Sequence, residues 1–332
     1  MMNILLKPFF ILFLNTMLLG IIISFSSDNW LGVWVGLELN LYSFVPLIIQ
    51  YGKTYEYEGA IKYFVTQAVA SSVMIIGVMC GFWFNYWGTF FIYMGLVIKI
   101  GLVPGHFWLS STMGVCSIPI CWVISTVQKL VPITVLLMLF TFGGVNMMVS
   151  GLSSLVGGIC GMNQTLIRPL LAFSSIGHMG WVVGAGMVSS KISFFYFLCY
   201  VLIISSVFFV VDKLKVVNGF VLSVGVSSSY ICVFFVVFLS LAGVPPFVGF
   251  FPKVCVMVGV LNNGFYFLLL LLVLGAVMNA YYYMKLGFVS LIIFPLNKIV
   301  FYSNHYYVYW VLSFWFLLSA FIFIPFVVFI LV

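Results

Sequence analysis

Apolar runs, each cut off by a short polar or Gly/Pro-containing stretch, cover nearly the whole chain. A spanning helix takes about 20 mostly apolar residues, and the runs have that length. The first covers about 4–25 and ends at Ser26-Ser27-Asp28-Asn29. A second runs about 30–50, and the polar patch Gly52-Lys53-Thr54-Tyr55-Glu56 separates it from a third at about 58–83. The fourth (about 87–109) is interrupted at Pro104-Gly105, and the fifth (about 118–140) contains Pro132. A sixth (about 143–162), seventh (about 167–188) and eighth (about 192–211) follow, closed by the polar loop Asp212-Lys213-Leu214-Lys215. The ninth, about 228–262, is too long for one span and is broken at Gly243-Val244-Pro245-Pro246. The tenth runs about 265–288 and the last about 308–331. The pattern predicts an all-α polytopic membrane protein with about eleven transmembrane helices.

The two breaks organise this array. Gly101-Leu102-Val103-Pro104-Gly105-His106-Phe107 interrupts the fourth run, and Gly243-Val244-Pro245-Pro246-Phe247-Val248-Gly249-Phe250 the ninth. Proline removes a backbone donor and clashes with the preceding turn. Unwound backbone at membrane depth survives only where protein or trapped water satisfies it. The breaks lie five runs apart, and because five is odd, a five-helix unit that repeats must return upside down. Paired broken helices in corresponding halves point to inverted repeats with a site at the breaks. We therefore expect a single membrane domain over 1–332. Its first repeat is about 1–140 and its inverted second repeat about 143–288, with a C-terminal loop and last helix at about 289–332.

Composition agrees. Hydrophobic residues make up 65% and charged residues only 5%, against roughly 25% charged in soluble domains; the mean hydropathy is +1.32. The net charge of +7 does not signal nucleic acid, because the basic residues are scattered singly. Topology accounts for them. With about eleven spans, one face carries Lys7, Lys53, Arg168, Lys213, Lys215, Lys285 and Lys298, and the other only Lys191. That asymmetry is the positive-inside pattern, and it puts the N-terminus on the inner face and the C-terminus on the outer face.

The remaining basic residues, Lys62, Lys99, Lys129 and Lys253, fall within runs, as does Glu38. Charges at membrane depth are costly and mark ion or proton pathways. Glu38, Lys99, Lys129 and Lys253 are the candidate proton path. Lysine suits the task because, unlike arginine, it can give up its proton in a buried site. Moving a carboxylate against an amine supplies about 4 kcal/mol at 4 Å and an effective dielectric near 20. Carrying a charge across about 150–200 mV costs roughly 3.5–4.5 kcal/mol, so the two magnitudes match. Two residues are secondary candidates. Lys62 opens the third run and can pair with Glu58 at i,i+4. His178, after Ser174 and Ser175, can relay protons or hydrogen-bond a neighbouring helix. His106 adjoins the first break as a cap, and His305 lies in an aromatic loop with no assigned role. The seven cysteines form no CxxC pair, which argues against iron–sulfur or zinc ligation. No metal or cofactor site is expected.

At these residues the chain resembles the antiporter-like membrane subunits of mitochondrial NADH:ubiquinone oxidoreductase (respiratory complex I). The matching stretches include Gly36-Leu37-Glu38-Leu39-Asn40, Ala60 to Ala68, Lys99 to Trp108, Gln128-Lys129-Leu130-Val131-Pro132-Ile133, Met162 to Thr165, Ala172 to Trp181, and Leu241 to Lys253. They follow family order across most of 30–260. The resemblance implies a shortened form in the inner mitochondrial membrane, with its N-terminus in the matrix and its C-terminus in the intermembrane space. It implies that Glu38 pairs with Lys99, that Lys129 is the central carrier and that Lys253 passes charge onward. NADH, FMN, iron–sulfur clusters and ubiquinone would sit in partner subunits. The implied partners are antiporter-like subunit 4, small subunits 3, 4L and 6, and lipids. Two positions depart from the family pattern: Ser110-Ser111 stand where Pro-Glu is usual, and Pro169 where a lysine is usual. The same lysines would also serve a stand-alone cation/proton antiporter, and buried charges alone would also fit a structural membrane subunit.

Overall fold

A computed structural model describes residues 8–50, 52–81, 84–139, 143–214, 228–245 and 247–293 of the 332. Every regular element among them is a helix. They divide into two compact units, Met1–Val145 and Asn146–Val332. The first contains α1 (Pro8–Ser26), α2 (Trp30–Ile48), α3 (Thr54–Gly81), α4 (Asn85–Ile100), α5 (Phe107–Val115), α6 (Ile118–Ser125) and α7 (Val127–Met138). The second contains most of α8 (Gly143–Met162), then α9 (Ile167–Gly186), α10 (Ser190–Leu214), α11 (Ser228–Ala242), α12 (Phe250–Asn262) and α13 (Tyr266–Ile293).

Among the described residues, seven stretches are long and apolar enough to cross a membrane: α1, α2, α3, the α6–α7 pair, α8, α10 and most of α13. The element order is alike in the two units: three helices, a fourth broken in two, then a further helical stretch. Both expected breaks are present, between α4 and α5 and between α11 and α12. The expected last run lies outside the described residues, as do Lys7, Lys215, Pro246, Lys298 and His305.

Lipid offers no hydrophobic drive between helices, so close packing of small residues takes over. A Cβ added to Gly20 of α1 would stand 2.9 Å from the Gly36 carbonyl of α2. In the second unit, a Cβ on Gly157 of α8 would meet the Gly177 nitrogen of α9 at 2.7 Å, and Ser154 Oγ donates to the Leu271 carbonyl of α13 at 3.1 Å.

Three boundaries differ from the sequence expectation. Thr54, Tyr55 and Glu56, expected in a loop, are helical, and Glu56 sits in the first turn of α3, where a carboxylate suits the helix dipole. Asp212, Lys213 and Leu214 continue α10, with Lys213 in its last turn, where a cation is likewise favoured. The fifth run is itself interrupted. Thr126 takes φ −119° and ψ −76° between α6 and α7, and its Oγ1 donates back to the Trp122 carbonyl at 2.7 Å.

Candidate functional site

Three of the candidates, Glu38, Lys99 and Lys129, gather at the broken end of α4. Gly101 follows the helix with φ +82°, a conformation costing other L-residues about 1–2 kcal/mol. Its N–H donates to the Ile98 carbonyl at 3.1 Å, and the Leu102 N–H to that of Val97 at 3.0 Å. This Schellman ending satisfies carbonyls that the helix leaves free. Side chains satisfy more. Trp108 Nε1 donates to the Ile98 carbonyl at 3.0 Å, and Gln67 Nε2 to the Lys99 carbonyl at 3.4 Å.

Lys99 occupies that last turn, the end of a helix that favours a cation. Its Nζ stands 3.9 Å from Glu38 Oε1 on α2, with the two side chains 3% and 12% exposed. Lys129, in the first turn of α7, is 2% exposed. Lys99 and Lys129 line one cavity, together with Asn40, Tyr63, Gln67 and Gln128. It offers about 20 Å³ to water centres, enough for a water molecule where the lining is polar. The neutral side chains form their own chain: Tyr63 OH donates to Gln128 Oε1 at 3.4 Å, and Gln128 Nε2 to Asn40 Oδ1 at 3.0 Å.

The second unit treats its lysine differently. α11 ends at Ala242, followed by Gly243 at φ +72°. The Gly243 N–H donates to Ser240 and the Val244 N–H to Leu239, at 3.1 and 3.4 Å, repeating the Schellman pattern. Lys253 lies near the start of α12, the end that disfavours a cation. It reaches back instead and donates to the Ala242 carbonyl at 2.6 Å, at the C-terminus of α11. It is 4% exposed. Gly243 lies directly against this amine, since a Cβ there would stand 2.7 Å from Nζ.

The secondary candidates are not part of the first cluster. Lys62 is on the exposed side of α3 in an ion pair with Glu58. His178 is buried in the second unit, its Nδ1 3.0 Å from Tyr196 OH and its ring 5.3 Å from that of Tyr200. His106 occupies the N-cap position of α5, but its side chain makes no capping hydrogen bond. The cap comes from its backbone, whose carbonyl accepts from Leu109 N–H at 3.2 Å. Among the described residues no three His, Cys, Asp or Glu side chains converge as a metal site would require.

Asn40, Tyr63, Gln67 and Gln128 line the cavity without a charge to mark them in the sequence. A signal existed: three are amide side chains inside apolar runs, where polar groups seek partners on other helices.

The family profile described as "NADH:quinone oxidoreductase/Mrp antiporter, TM" matches residues 27–279. The chain belongs to that family. All four proton-path candidates fall within the matched stretch. The chain is similar to NADH-ubiquinone oxidoreductase chain 2 of Lumbricus terrestris, 33% identical over 294 residues, covering 84% of this chain and 86% of the relative. Its fold is similar to a chain of respiratory complex I from Thermus thermophilus with bound aureothin, with a TM-score of 0.82 at 23% identity, covering 96% of this chain and 78% of that one. A chain of the Mrp complex from Dietzia sp. DQ12-45-1b matches with a TM-score of 0.75 at 17% identity, over 82% of this chain and 59% of the other. The chain is thus an antiporter-like membrane protein.

Proposed function

We propose that this chain is the chain 2 subunit of a mitochondrial NADH:ubiquinone oxidoreductase, and that it translocates protons through Glu38, Lys99, Lys129 and Lys253. The observation that carries this reading is the polar cavity shared by Lys99 and Lys129 beside the buried Glu38–Lys99 pair. While Glu38 stands near Lys99, the amine holds its proton. When the carboxylate withdraws, the amine loses its counter-ion in a poorly solvated site and passes the proton through the cavity to Lys129. Lys253 serves as the proton-exchanging station of the second unit, working in series with the first.

Electron transfer in partner subunits drives the cycle; NADH, FMN, iron–sulfur clusters and ubiquinone belong to them, and this chain binds no cofactor. The partners are the other membrane-arm subunits: antiporter-like subunit 4 and small subunits 3, 4L and 6. The chain sits in the inner mitochondrial membrane with two inverted five-helix repeats, its N-terminus in the matrix and its C-terminus in the intermembrane space.

The test is Lys129→Met in the assembled complex, read as protons translocated per NADH oxidised and as turnover. We expect a fall in one or both at normal assembly. A purely structural role predicts lost assembly, with the ratio and turnover unchanged in whatever assembles. The family description also covers Mrp antiporters, which favours a second reading, a stand-alone cation/proton antiporter. Na⁺/H⁺ exchange by the purified chain in liposomes would support that reading.

A further inference from the structure

We propose that Gln128 is a positioning residue for proton transfer between Lys99 and Lys129, orienting the water that their shared cavity can hold. The inference deepens the proton-translocation reading above and rests on it. Gln128 directly precedes Lys129 in α7 and lines the cavity with both lysines.

Three helices fix its carboxamide. Nε2 donates to Asn40 Oδ1 on α2 at 3.0 Å and to Met17 Sδ on α1 at 3.5 Å. Oε1 accepts from Tyr63 OH on α3 at 3.4 Å. Tyr63 is itself braced, its ring edge-on to Phe44 at 5.1 Å and to Trp108 at 5.6 Å. Trp108 in turn donates to the Ile98 carbonyl at the end of α4. The amide is thereby tied to α2, which carries Glu38, and to the broken end beside Lys99.

Donor and acceptor capacity then decides what the amide does. Its two N–H donors are taken by Asn40 and Met17, and one Oε1 lone pair by Tyr63; the capacity left is a second lone pair on Oε1. A cavity water can therefore only donate to Gln128. That donation uses one O–H and leaves the other for the neutral Lys129 amine, with a lone pair to accept from protonated Lys99. In the transfer, one Lys99 N–H bond breaks as an O–H bond forms on the water. The water's other O–H breaks as an N–H bond forms on Lys129. The water is unchanged in composition, and Gln128 gains and loses no proton.

The experiment compares Gln128→Leu, Tyr63→Phe and Lys129→Met in the assembled complex in membrane vesicles. NADH turnover, KM for NADH, protons per NADH and the H₂O/D₂O rate ratio are measured. Gln128→Leu should slow proton-coupled turnover by about 10- to 100-fold, the scale of misplaced reacting groups, with unchanged KM and a larger isotope ratio. Tyr63→Phe keeps the amide but removes one of its anchors, and should shift the same readouts in the same direction by less. It decides the matter if the leucine variant fails to assemble. Normal turnover, proton ratio and isotope ratio in an assembled Gln128→Leu complex overturn the inference, as does a wholly unaffected Tyr63→Phe if that is the only one to assemble. If Lys129→Met is also normal, the translocation reading itself fails; if Lys129→Met is impaired, only the role of Gln128 falls.

Discussion

The two broken helices end alike and handle charge differently. α4 and α11 both stop at a glycine with positive φ, and both ends are tied by the same pair of backbone hydrogen bonds. At the first, the lysine precedes the break and faces a carboxylate, Glu38, at 3.9 Å. At the second, the lysine follows the break and donates to a main-chain carbonyl, Ala242, at 2.6 Å. A side-chain counter-ion can swing away; a helix end cannot move without moving the helix. The partner of Lys99 is thus a side chain that can be repositioned, whereas the partner of Lys253 is part of the break itself.

Removing the adjustable partner should have the largest effect. Glu38→Gln leaves Lys99 buried without its carboxylate, and breaking one side of a buried pair costs about 3–5 kcal/mol. We expect poor assembly, measured as the amount of intact complex, with recovery in Glu38→Gln/Lys99→Met but no recovery of pumping. The second break offers no such variant, because no side-chain change deletes the Ala242 carbonyl.

The glycines sharpen the contrast at a smaller scale. Alanine at Gly101 or Gly243 should cost about 1–2 kcal/mol for the left-handed backbone alone. At Gly101 the atoms nearest the added carbon are side-chain atoms of Leu109 and Trp108, at 3.0–3.4 Å. At Gly243 it meets the Lys253 amine at 2.7 Å. Thermal stability of the complex should fall in both variants, whereas protons per NADH or turnover should fall further in Gly243→Ala.

The smallest effect belongs to Lys62→Ala. Its pair with Glu58 is exposed, and exposed pairs contribute about 0–1 kcal/mol. Thermal melting should move little and pumping should be normal; a pumping defect would add α3's outer side to the proton route.

The course of the helices was legible because a membrane span must be long and apolar and because glycine and proline mark its interruptions. The sixth run and α8 share their bounds, 143–162, and both breaks fall at the Gly/Pro clusters. The interruption at Thr126 was not legible. Threonine is no helix breaker by type, and Pro132 lies inside α7 rather than at the gap. Polar helix ends misled at Thr54–Glu56 and Asp212–Leu214, since a charge that complements the helix dipole looks like a loop residue in an apolar chain. Of the site, Glu38 and the lysines stood out as charges in apolar surroundings. The Tyr63–Gln128–Asn40 chain did not, because its partners are 65 and 88 residues apart in sequence and only packing brings them together.

The most direct measurement is protons translocated per NADH oxidised, with turnover, in assembled complexes carrying Lys99→Met or Lys253→Met. Proton exchange at both broken helices predicts that each variant loses pumping or turnover relative to wild type. Wild-type values in both would contradict it.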